Sequence, residues 1–394
     1  MSIDPIDRLR EFLRISTVSS TGVSSASYRK AGGFLADLMT QAGIEQVQQT
    51  EFVPGKPVVT GLIRGDDVNV GGLLLSGHYD VVPAEINAWK HGPFDGQVED
   101  GRIIGRGAQD MKSVLIQYIE AARVIKQKGS RRNIYFSLFP DEEVGGRDGA
   151  QVFIESSLFR SMNIEVVLDE GLANPGDAFS LFYGERAINY VRIIVRGATG
   201  HGSRFVENSA VEKITKILSN IYSFRSEQQS DMRCNCKKLG DVLTVNVTGL
   251  KAGVDGLHNV VPSEAELIMD VRVPLHVNDL EGLIRKEFLR ELEEGIEIEF
   301  IQKTNHPHEN DLEGKWLKLI ESTFNNLSIP IEKEIFPAAT DSRFFRKIGL
   351  PCFGFSPIRN TPILLHDHNE FIFEKGFLKG IDIYVELIQT LANA

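Results

Sequence analysis

The sequence predicts an α/β protein in which a small α+β domain interrupts a larger α/β domain. The chain has 394 residues, more than one typical domain, and 42% of them are hydrophobic. Short apolar runs alternate with helical segments in both outer parts of the chain, which is typical of a layered, largely parallel sheet. The middle part instead follows the order βαββαβ, which indicates a ferredoxin-like module. We therefore predict one domain from residues 1–183 and 304–394 and an inserted domain at residues 184–303.

The outer parts supply the helices and strands of the larger domain. Apolar residues at helical spacing predict two opening helices at 4–16 and 26–42, and Gly43 follows the second helix as glycine commonly does. Four short apolar runs and one long helix come next: strands at 58–63, 73–76, 134–139 and 166–168, and the helix at 111–128. The same style returns late in the chain, with helices near 316–324 and 377–391 and strands at 331–336 and 352–355.

The inserted domain has four predicted strands and two predicted helices. In chain order these are a strand at 189–195, a helix at 208–224, strands at 242–247 and 265–273, a helix at 279–292 and a strand at 296–301.

Composition and charge indicate which class of partner the protein binds and which cellular compartment it occupies. The formal net charge is −11 and no long basic run occurs, which argues against nucleic acid and anionic membranes and favours a small-molecule partner. The first residues lack a basic start and an apolar signal core, and no segment approaches the ~18 apolar residues of a membrane span. Three cysteines, Cys234, Cys236 and Cys352, cannot all pair, and we interpret them as reduced and structural. A cytoplasmic location is expected.

A histidine and an aspartate follow the strand at 73–76. Gly77 provides a turn, and His78 and Asp80 stand two residues apart, a spacing that places them on the same side of extended chain. The pair suits a metal site, although a His-x-Asp pair alone is weak evidence.

Asp110 lies between a glycine-rich segment and the long helix that begins near 111. Two interpretations are open. Aspartate is a common helix N-cap residue, and the same carboxylate could also bind a metal at the mouth of the sheet.

Acidic residues follow two more strands, and histidines lie in an acidic stretch near the end of the chain. Asp141, Glu142 and Glu143 come after the strand at 134–139, and Asp169 and Glu170 follow the strand at 166–168. Charge runs usually belong to solvated loops, but at strand ends beside glycines a cation could hold such carboxylates together. Two further candidates are His366 and His368.

Taken together, two histidines and three carboxylates on separate loops form the ligand set of two divalent, zinc-like ions. One carboxylate would bridge the ions at ~3.5–4 Å. The set has no thiolate, which suits a hydrolytic metal site better than a structural one. A spare glutamate next to a ligand glutamate would supply the proton acceptor that hydrolysis requires.

In these segments the chain resembles the M20 family of dinuclear zinc amidohydrolases and peptidases. The resemblance covers essentially the whole chain and is carried by five motifs: SGHYDVVP at 76–83, GRGAQDMK at 105–112, DEEVGG at 141–146, LDEG at 168–171 and LLHDH at 364–368. It implies a zinc-peptidase-like α/β/α catalytic domain with an inserted ferredoxin-like domain that serves as a lid and forms a homodimer.

The resemblance also implies the metal ligands. His78 and Glu170 would bind one zinc ion, Glu143 and His366 the other, and Asp110 would bridge the two ions of each subunit. A cis peptide bond is expected after Asp110. His368 remains a rival to His366, and we interpret His306 and His308 as structural.

The catalytic roles follow from the same resemblance. Asp80 would orient His78, and Glu142 would act as general base and then as general acid. His201, reaching the active site of the partner subunit, would polarise the scissile carbonyl.

The implied activity is zinc-dependent hydrolysis of N-acyl-L-amino acids with neutral or hydrophobic side chains, indicated by AATDSR at 338–343, GFSP at 354–357 and TGHGSRF at 199–205. Arg272 would bind the substrate carboxylate with help from Asn259. A metallodipeptidase or carboxypeptidase of the same family, and a non-catalytic binding protein, are the alternatives.

Overall fold

A computed structural model describes residues 4–233, 237–253, 255–304, 310 and 312–394 of the chain. Cys234, Cys236, His306 and His308, which were interpreted above as structural residues, lie outside the described residues.

The structure contains the helices and strands that the sequence predicts, together with further elements that it does not predict. The α-helices are α1 (Pro5–Leu13), α2 (Ser27–Gln41), α3 (Lys112–Lys128), α4 (Val152–Glu155), α5 (Ser157–Ser161), α6 (Ala210–Arg233), α7 (Leu280–Leu283), α8 (Lys315–Asn326), α9 (Ser342–Lys347) and α10 (Glu374–Ala392). The strands are β1 (Glu45–Val53), β2 (Lys56–Ile63), β3 (Gly72–His78), β4 (Gln97–Glu99), β5 (Arg102–Ile104), β6 (Ile134–Phe139), β7 (Ile164–Asp169), β8 (Phe179–Glu185), β9 (Ala187–Arg196), β10 (Gly200–His201), β11 (Thr244–Ala252), β12 (Val260–Val261), β13 (Glu264–Val273), β14 (Ile296–Gln302), β15 (Ile331–Phe336), β16 (Cys352–Phe355) and β17 (Phe371–Phe373).

The chain divides into two compact units. The larger unit consists of Met1–Tyr183, His308–Glu334 and Thr340–Ala394, and the inserted unit consists of Gly184–Pro307 and Ile335–Ala339. Hydrogen bonds from Arg186 hold the short segment Ile335–Ala339, which belongs to the inserted unit. The backbone N–H of Arg186 donates to the carbonyl of Phe336, and its guanidinium Nε donates to the carbonyl of Pro337 at 2.8 Å.

The sheet of the larger unit is mixed, whereas the sequence led us to expect a largely parallel one. Its strand order is β1-β2-β6-β3-β7-β16-β8-β15. The neighbours β6-β3, β3-β7 and β7-β16 are parallel, while β1-β2, β2-β6 and β16-β8 are antiparallel. The parallel strands are therefore the central ones, and they read as continuous apolar runs because both of their faces are buried.

Helices cover both faces of these central strands. Alternate residues of a strand point to opposite faces of a sheet. Leu73 and Leu75 belong to a large core with side chains of α1, α2, α3, α8 and α10, whereas Leu74 belongs to a second core with side chains of α4, α5 and α9. This arrangement confirms the predicted α/β fold class.

The inserted unit has a four-stranded antiparallel sheet with the order β11-β13-β9-β14. Numbered along the module, this is the strand order 2-3-1-4 of a βαββαβ ferredoxin-like fold. Its core contains alternate residues of β9 and the apolar side of α6, including Ile214, Ile217 and Ile221. The helix predicted at 279–292 is shorter: α7 passes into a π-helical turn at Ile284–Leu289.

None of the helices in the described ranges has the length and apolar character needed to cross a membrane.

Candidate metal centre

The carboxyl ends of three neighbouring strands carry most of the candidate residues of the larger unit. In the parallel pairing of β3 with β6, His78 lies opposite Phe139, so His78 and the acidic loop after Phe139 share one edge of the sheet. β7 pairs with the other side of β3 and ends at Asp169, directly before Glu170. Ligands of open α/β sheets bind at this edge.

The first cluster contains His78, Asp110 and Glu170, all of them buried. His78 Nε2 lies 2.9 Å from Asp110 Oδ1 and 3.4 Å from Glu170 Oε2. One ligand atom from each residue lies within 4.8 Å of the others, so a single ion could contact all three.

The second cluster contains Asp110 again, with Glu143 and His366. His366 Nε2 lies 3.0 Å from Glu143 Oε2 and 3.4 Å from Asp110 Oδ2. The two clusters therefore use different oxygens of one carboxylate, the arrangement expected of an aspartate that bridges two ions. His368 belongs to neither cluster within the described residues.

Asp80 lies behind His78 and also supports the acidic loop. Its Oδ1 is 3.4 Å from His78 Nδ1, and its backbone carbonyl is 3.1 Å from the same nitrogen. Its two carboxylate oxygens accept backbone N–H groups of Glu142 and Glu143 at 3.1 and 3.2 Å. Asp80 is thus placed to fix the ring of His78 and the loop that carries Glu143 at the same time.

The N-cap interpretation of Asp110 is wrong. The residue at the N-cap position of α3 is Met111, and the side chain of Asp110 points to the two histidines instead. The peptide bond between Asp110 and Met111 is cis, as the resemblance implied.

The electrostatics of the two clusters are those of crowded, buried carboxylates. Burial, together with the charge of Glu170, raises the pKa of Glu142 well above its usual value. Burial and the neighbouring Asp110 raise the pKa of Glu143 to about 7. Burial also raises the pKa of Glu170 well above its usual value, with Asp110 adding to this shift and His78 opposing it. Hydrogen bonds to Asp110 and Glu143 raise the pKa of His366 to about 10.

This donor set fits divalent metal ions. Three acidic side chains and two histidines converge here, and burial of Asp110 and Glu170 makes uncompensated negative charge costly. A cation is the group that lowers that cost. Imidazole and carboxylate donors without thiolate suit zinc in a hydrolytic site.

Glu142 lies beside the clusters and belongs to neither of them. Its Oε1 is 3.9 Å from Nη1 of Arg343, whose Nη2 donates to the carbonyl of Gly145 at 2.8 Å. The side chain is only 10% exposed, and its pKa is raised, properties of a group that can accept a proton and release it again.

Sequence reasoning missed the groups that hold the ligand loops. Arg106 and Glu370 form a buried ion pair, with Nη1 of Arg106 at 2.9 Å from Oε2 of Glu370. Ser342 donates to Asp169 at 2.7 Å, next to Glu170. Arg106 and Glu370 lie inside the same segments as the predicted ligands Asp110 and His366, and their opposite charges were the available signal.

His201, Asn259 and Arg272 lie in the inserted unit. His201 on β10 pairs with Val260 on β12, which brings the Nδ2 atom of Asn259 to 3.4 Å from His201 Nε2. His201 is exposed, and its Nδ1 is 2.8 Å from the Ser203 hydroxyl. The guanidinium of Arg272 forms a bidentate pair with Asp270, at 2.7 and 2.9 Å.

Comparison with known proteins supports the same fold and identifies the protein family. Residues 74–390 match the model of peptidase family M20/M25/M40. The chain is 42% identical over 401 residues to aminoacylase-1 of Dictyostelium discoideum, which covers 98% of this chain and 96% of that protein. It is 40% identical over 392 residues to aminoacylase-1 of Mus musculus, covering 98% and 94%.

Among solved structures, the M20 family metallo-carboxypeptidase Sso-CP2 of Sulfolobus solfataricus is similar in fold. The TM-score is 0.73 at 19% identity, and the match covers 99% of each chain.

Proposed function

The chain belongs to peptidase family M20/M25/M40, and we propose that it is an N-acyl-L-amino-acid amidohydrolase, an aminoacylase. The observation that carries this proposal is the pair of ligand clusters that share Asp110, with the additional buried carboxylate of Glu142 beside them. Likeness to aminoacylases along 98% of the chain supports the choice of N-acyl amino acids as substrates.

In the proposed site, His78, Asp110 and Glu170 would hold one zinc ion, and Asp110, Glu143 and His366 would hold a second. Zinc in such a site lowers the pKa of water and polarises a carbonyl oxygen.

The residues of the chain carry the proton steps. Glu142 accepts the proton of the water molecule that adds to the amide carbonyl carbon, and it returns that proton to the nitrogen of the leaving amine. The carbon–nitrogen bond then breaks, which gives a carboxylate and a free L-amino acid. Burial suits Glu142 to this task, because a carboxylate with a raised pKa is a stronger proton acceptor.

His201 of the inserted unit donates to the oxyanion that develops on the carbonyl oxygen. Asn259, whose Nδ2 lies 3.4 Å from His201 Nε2, assists Arg272 in binding the substrate. We propose that His201 acts on the active site of a partner subunit in a homodimer.

Arg272 binds the free carboxylate of the substrate. Its pair with Asp270 uses Nε and Nη2 and fixes the plane of the guanidinium, so that its other N–H groups remain for a second carboxylate.

We also propose a cytosolic location, which fractionation of source cells would test.

A substrate panel tests the proposed activity. Zinc-loaded protein should hydrolyse N-acetyl-L-methionine and other N-acetylated neutral or hydrophobic L-amino acids, with release of the free amino acid measured by an amine assay. Unblocked dipeptides and the N-acetyl-D-amino acid serve as controls and should react far more slowly.

Faster turnover of dipeptides than of N-acetyl-L-methionine would assign the chain to the peptidases of the family instead. Zinc binding without turnover of any amide would indicate a binding protein that has kept the fold.

A further inference from the structure

Two loops of the larger unit, residues 105–110 and 362–371, carry ligand candidates from distant parts of the chain and are joined by one buried ion pair. We propose that Arg106 and Glu370 form a clasp that sets the position of Asp110 relative to His366 and so tunes metal affinity. Both are positioning residues, since neither belongs to a ligand cluster. The inference rests on the proposed metal centre.

Glu370 organises the loop that presents Asp110. Its side chain is fully buried, and its two oxygens accept three backbone N–H groups of that loop. The N–H of Gly107 lies 3.0 Å from Oε2, that of Gln109 lies 2.6 Å from Oε1, and that of Asp110 lies 3.2 Å from Oε1. The last bond acts on the backbone of the bridging ligand itself.

Arg106 organises the loop that presents His366. Its Nη1 donates to Glu370 at 2.9 Å and to the carbonyl of Asp367 at 3.1 Å, and its Nη2 donates to the carbonyl of His366 at 3.2 Å. His366 has a positive φ of 61°, an unfavourable conformation for a residue with a side chain. Bonds to its own carbonyl and to the next one hold the backbone in that conformation.

A third residue ties the same two loops together. Gln109 donates to the carbonyls of Pro362 and Phe371, at 3.1 and 2.8 Å, and its Oε1 accepts the N–H of Leu364 at 3.0 Å. The loops thus form one hydrogen-bonded block, and Arg106 and Glu370 are the fully buried ion pair within it.

The chemistry of the clasp requires a carboxylate at position 370. Four N–H donors, three from the backbone and one from Arg106, converge on Glu370, and an ionised carboxylate offers acceptors only. Glutamine has nearly the same shape, but its own NH₂ group would face one of these N–H donors. That N–H donor would then lack an acceptor.

The test compares zinc affinity in three single variants of the full chain. Glu370→Gln removes the acceptor-only group. Arg106→Lys keeps the buried charge, but one ammonium cannot reach the carbonyls of His366 and Asp367 together with Glu370. The matched control is Glu120→Gln, which disrupts the buried Arg8–Glu120 ion pair between α1 and α3, because that pair contacts neither ligand loop. Zinc affinity is measured by chelator competition, and circular dichroism checks folding.

Glu370→Gln should weaken binding of both zinc ions, because Asp110 belongs to both clusters. Arg106→Lys should weaken mainly the ion bound by His366 and Glu143. Loss of such supporting partners typically costs about 10- to 100-fold in metal affinity, whereas Glu120→Gln should change affinity less than twofold.

Wild-type affinity for both ions in folded Glu370→Gln, or in Arg106→Lys, would overturn the clasp. An equal loss in Glu120→Gln would also overturn it, since the effect would then reflect general destabilisation. If Glu370→Gln does not fold, Arg106→Lys decides. Wild-type protein that binds zinc without hydrolysing N-acyl amino acids would refute the proposed function and leave this test intact.

Discussion

Glu142 is the residue whose role separates catalysis from metal binding. It lies next to Glu143 in the chain, but its carboxylate is outside both ligand clusters. We expect Glu142→Gln to retain zinc with wild-type stoichiometry and to lose turnover by about 10²- to 10⁴-fold, the usual contribution of a general acid–base group. Zinc content and the kcat for N-acetyl-L-methionine measure the two effects.

Glu143→Ala is the control for this prediction, because it removes a ligand candidate instead of the base. It should reduce zinc to one ion per subunit. Near wild-type turnover in Glu142→Gln, or two zinc ions in Glu143→Ala, would reverse the roles of the two glutamates.

At the residue scale, the sequence revealed the groups that stand at strand ends. His78 and Glu170 follow apolar runs directly, so their common edge could be predicted from the order of the strands. Arg106 and Glu370 could not be found in this way, because a charged residue in a loop normally lies in solvent. Their burial depends on the approach of two loops that are more than 250 residues apart in sequence.

At the scale of elements, α6 shows how one helix supports the inserted unit. Its residues Ile214, Ile217 and Ile221 are buried against the four-stranded sheet, whereas Val211 on the same helix is 40% exposed. Ile217→Ala should destabilise the inserted unit by about 2–5 kcal/mol, because it removes buried methyl groups and leaves a cavity.

Urea unfolding followed by circular dichroism measures this loss, and Val211→Ala is the matched control, with an expected change within about 0.5 kcal/mol. Zinc affinity should stay at the wild-type level in both variants, since the ligand clusters lie in the larger unit. A large loss of zinc affinity in Ile217→Ala would show that the two units are energetically coupled.

Elements with strong apolar runs were predictable, and elements fixed by their neighbours were not. The sequence of β1 is rich in Glu and Gln, and the strand is half exposed, so its pairing with β2 at the end of the sheet leaves no apolar signal. β4, β5 and β17 have three residues each and form their own small sheet, too short for any periodicity. The mixture of parallel and antiparallel strands in the large sheet was also not predicted, because the sequence of a buried strand does not show in which direction the strand next to it runs.

At the scale of the whole molecule, shared active sites would make the dimer a requirement for activity. If His201 acts on the partner's site, a mixture of Glu142→Gln and His201→Ala subunits should form heterodimers with one complete site. Random mixing would then restore about a quarter of wild-type activity, since half the dimers are mixed and each has one complete site of two.

The matched control mixes Glu142→Gln with Glu143→Ala, two changes in the larger unit, which should restore nothing. Turnover of N-acetyl-L-methionine after subunit exchange is the measurement. No recovery in the first mixture, although heterodimers are detected, would place His201 in the active site of its own subunit.

The stability of the whole molecule should respond to pH and zinc together, because protons and metal compete for the same side chains. Without metal, the pKa of His366 is about 10, above the value of about 6.5 for unfolded chain, so folded protein holds more protons between these values. The contribution of His366 to the stability of the metal-free protein is therefore fully present below about pH 6.5, and it is lost as the pH rises toward 10. Glu143, with a pKa of about 7, acts in the same direction between about pH 4.5 and 7.

Zinc-bound protein needs both ligands without their protons, so binding releases protons and becomes tighter as pH rises. The increase in Tm produced by a fixed free zinc concentration should thus be larger at about pH 8.5 than at about pH 6.5. Scanning calorimetry in zinc-buffered solution measures it, and His366→Ala, which lacks the group with the highest pKa, should show a weaker pH dependence. A zinc-induced shift in Tm that is independent of pH, or that falls as pH rises, would mean that His366 does not give up a proton to the metal.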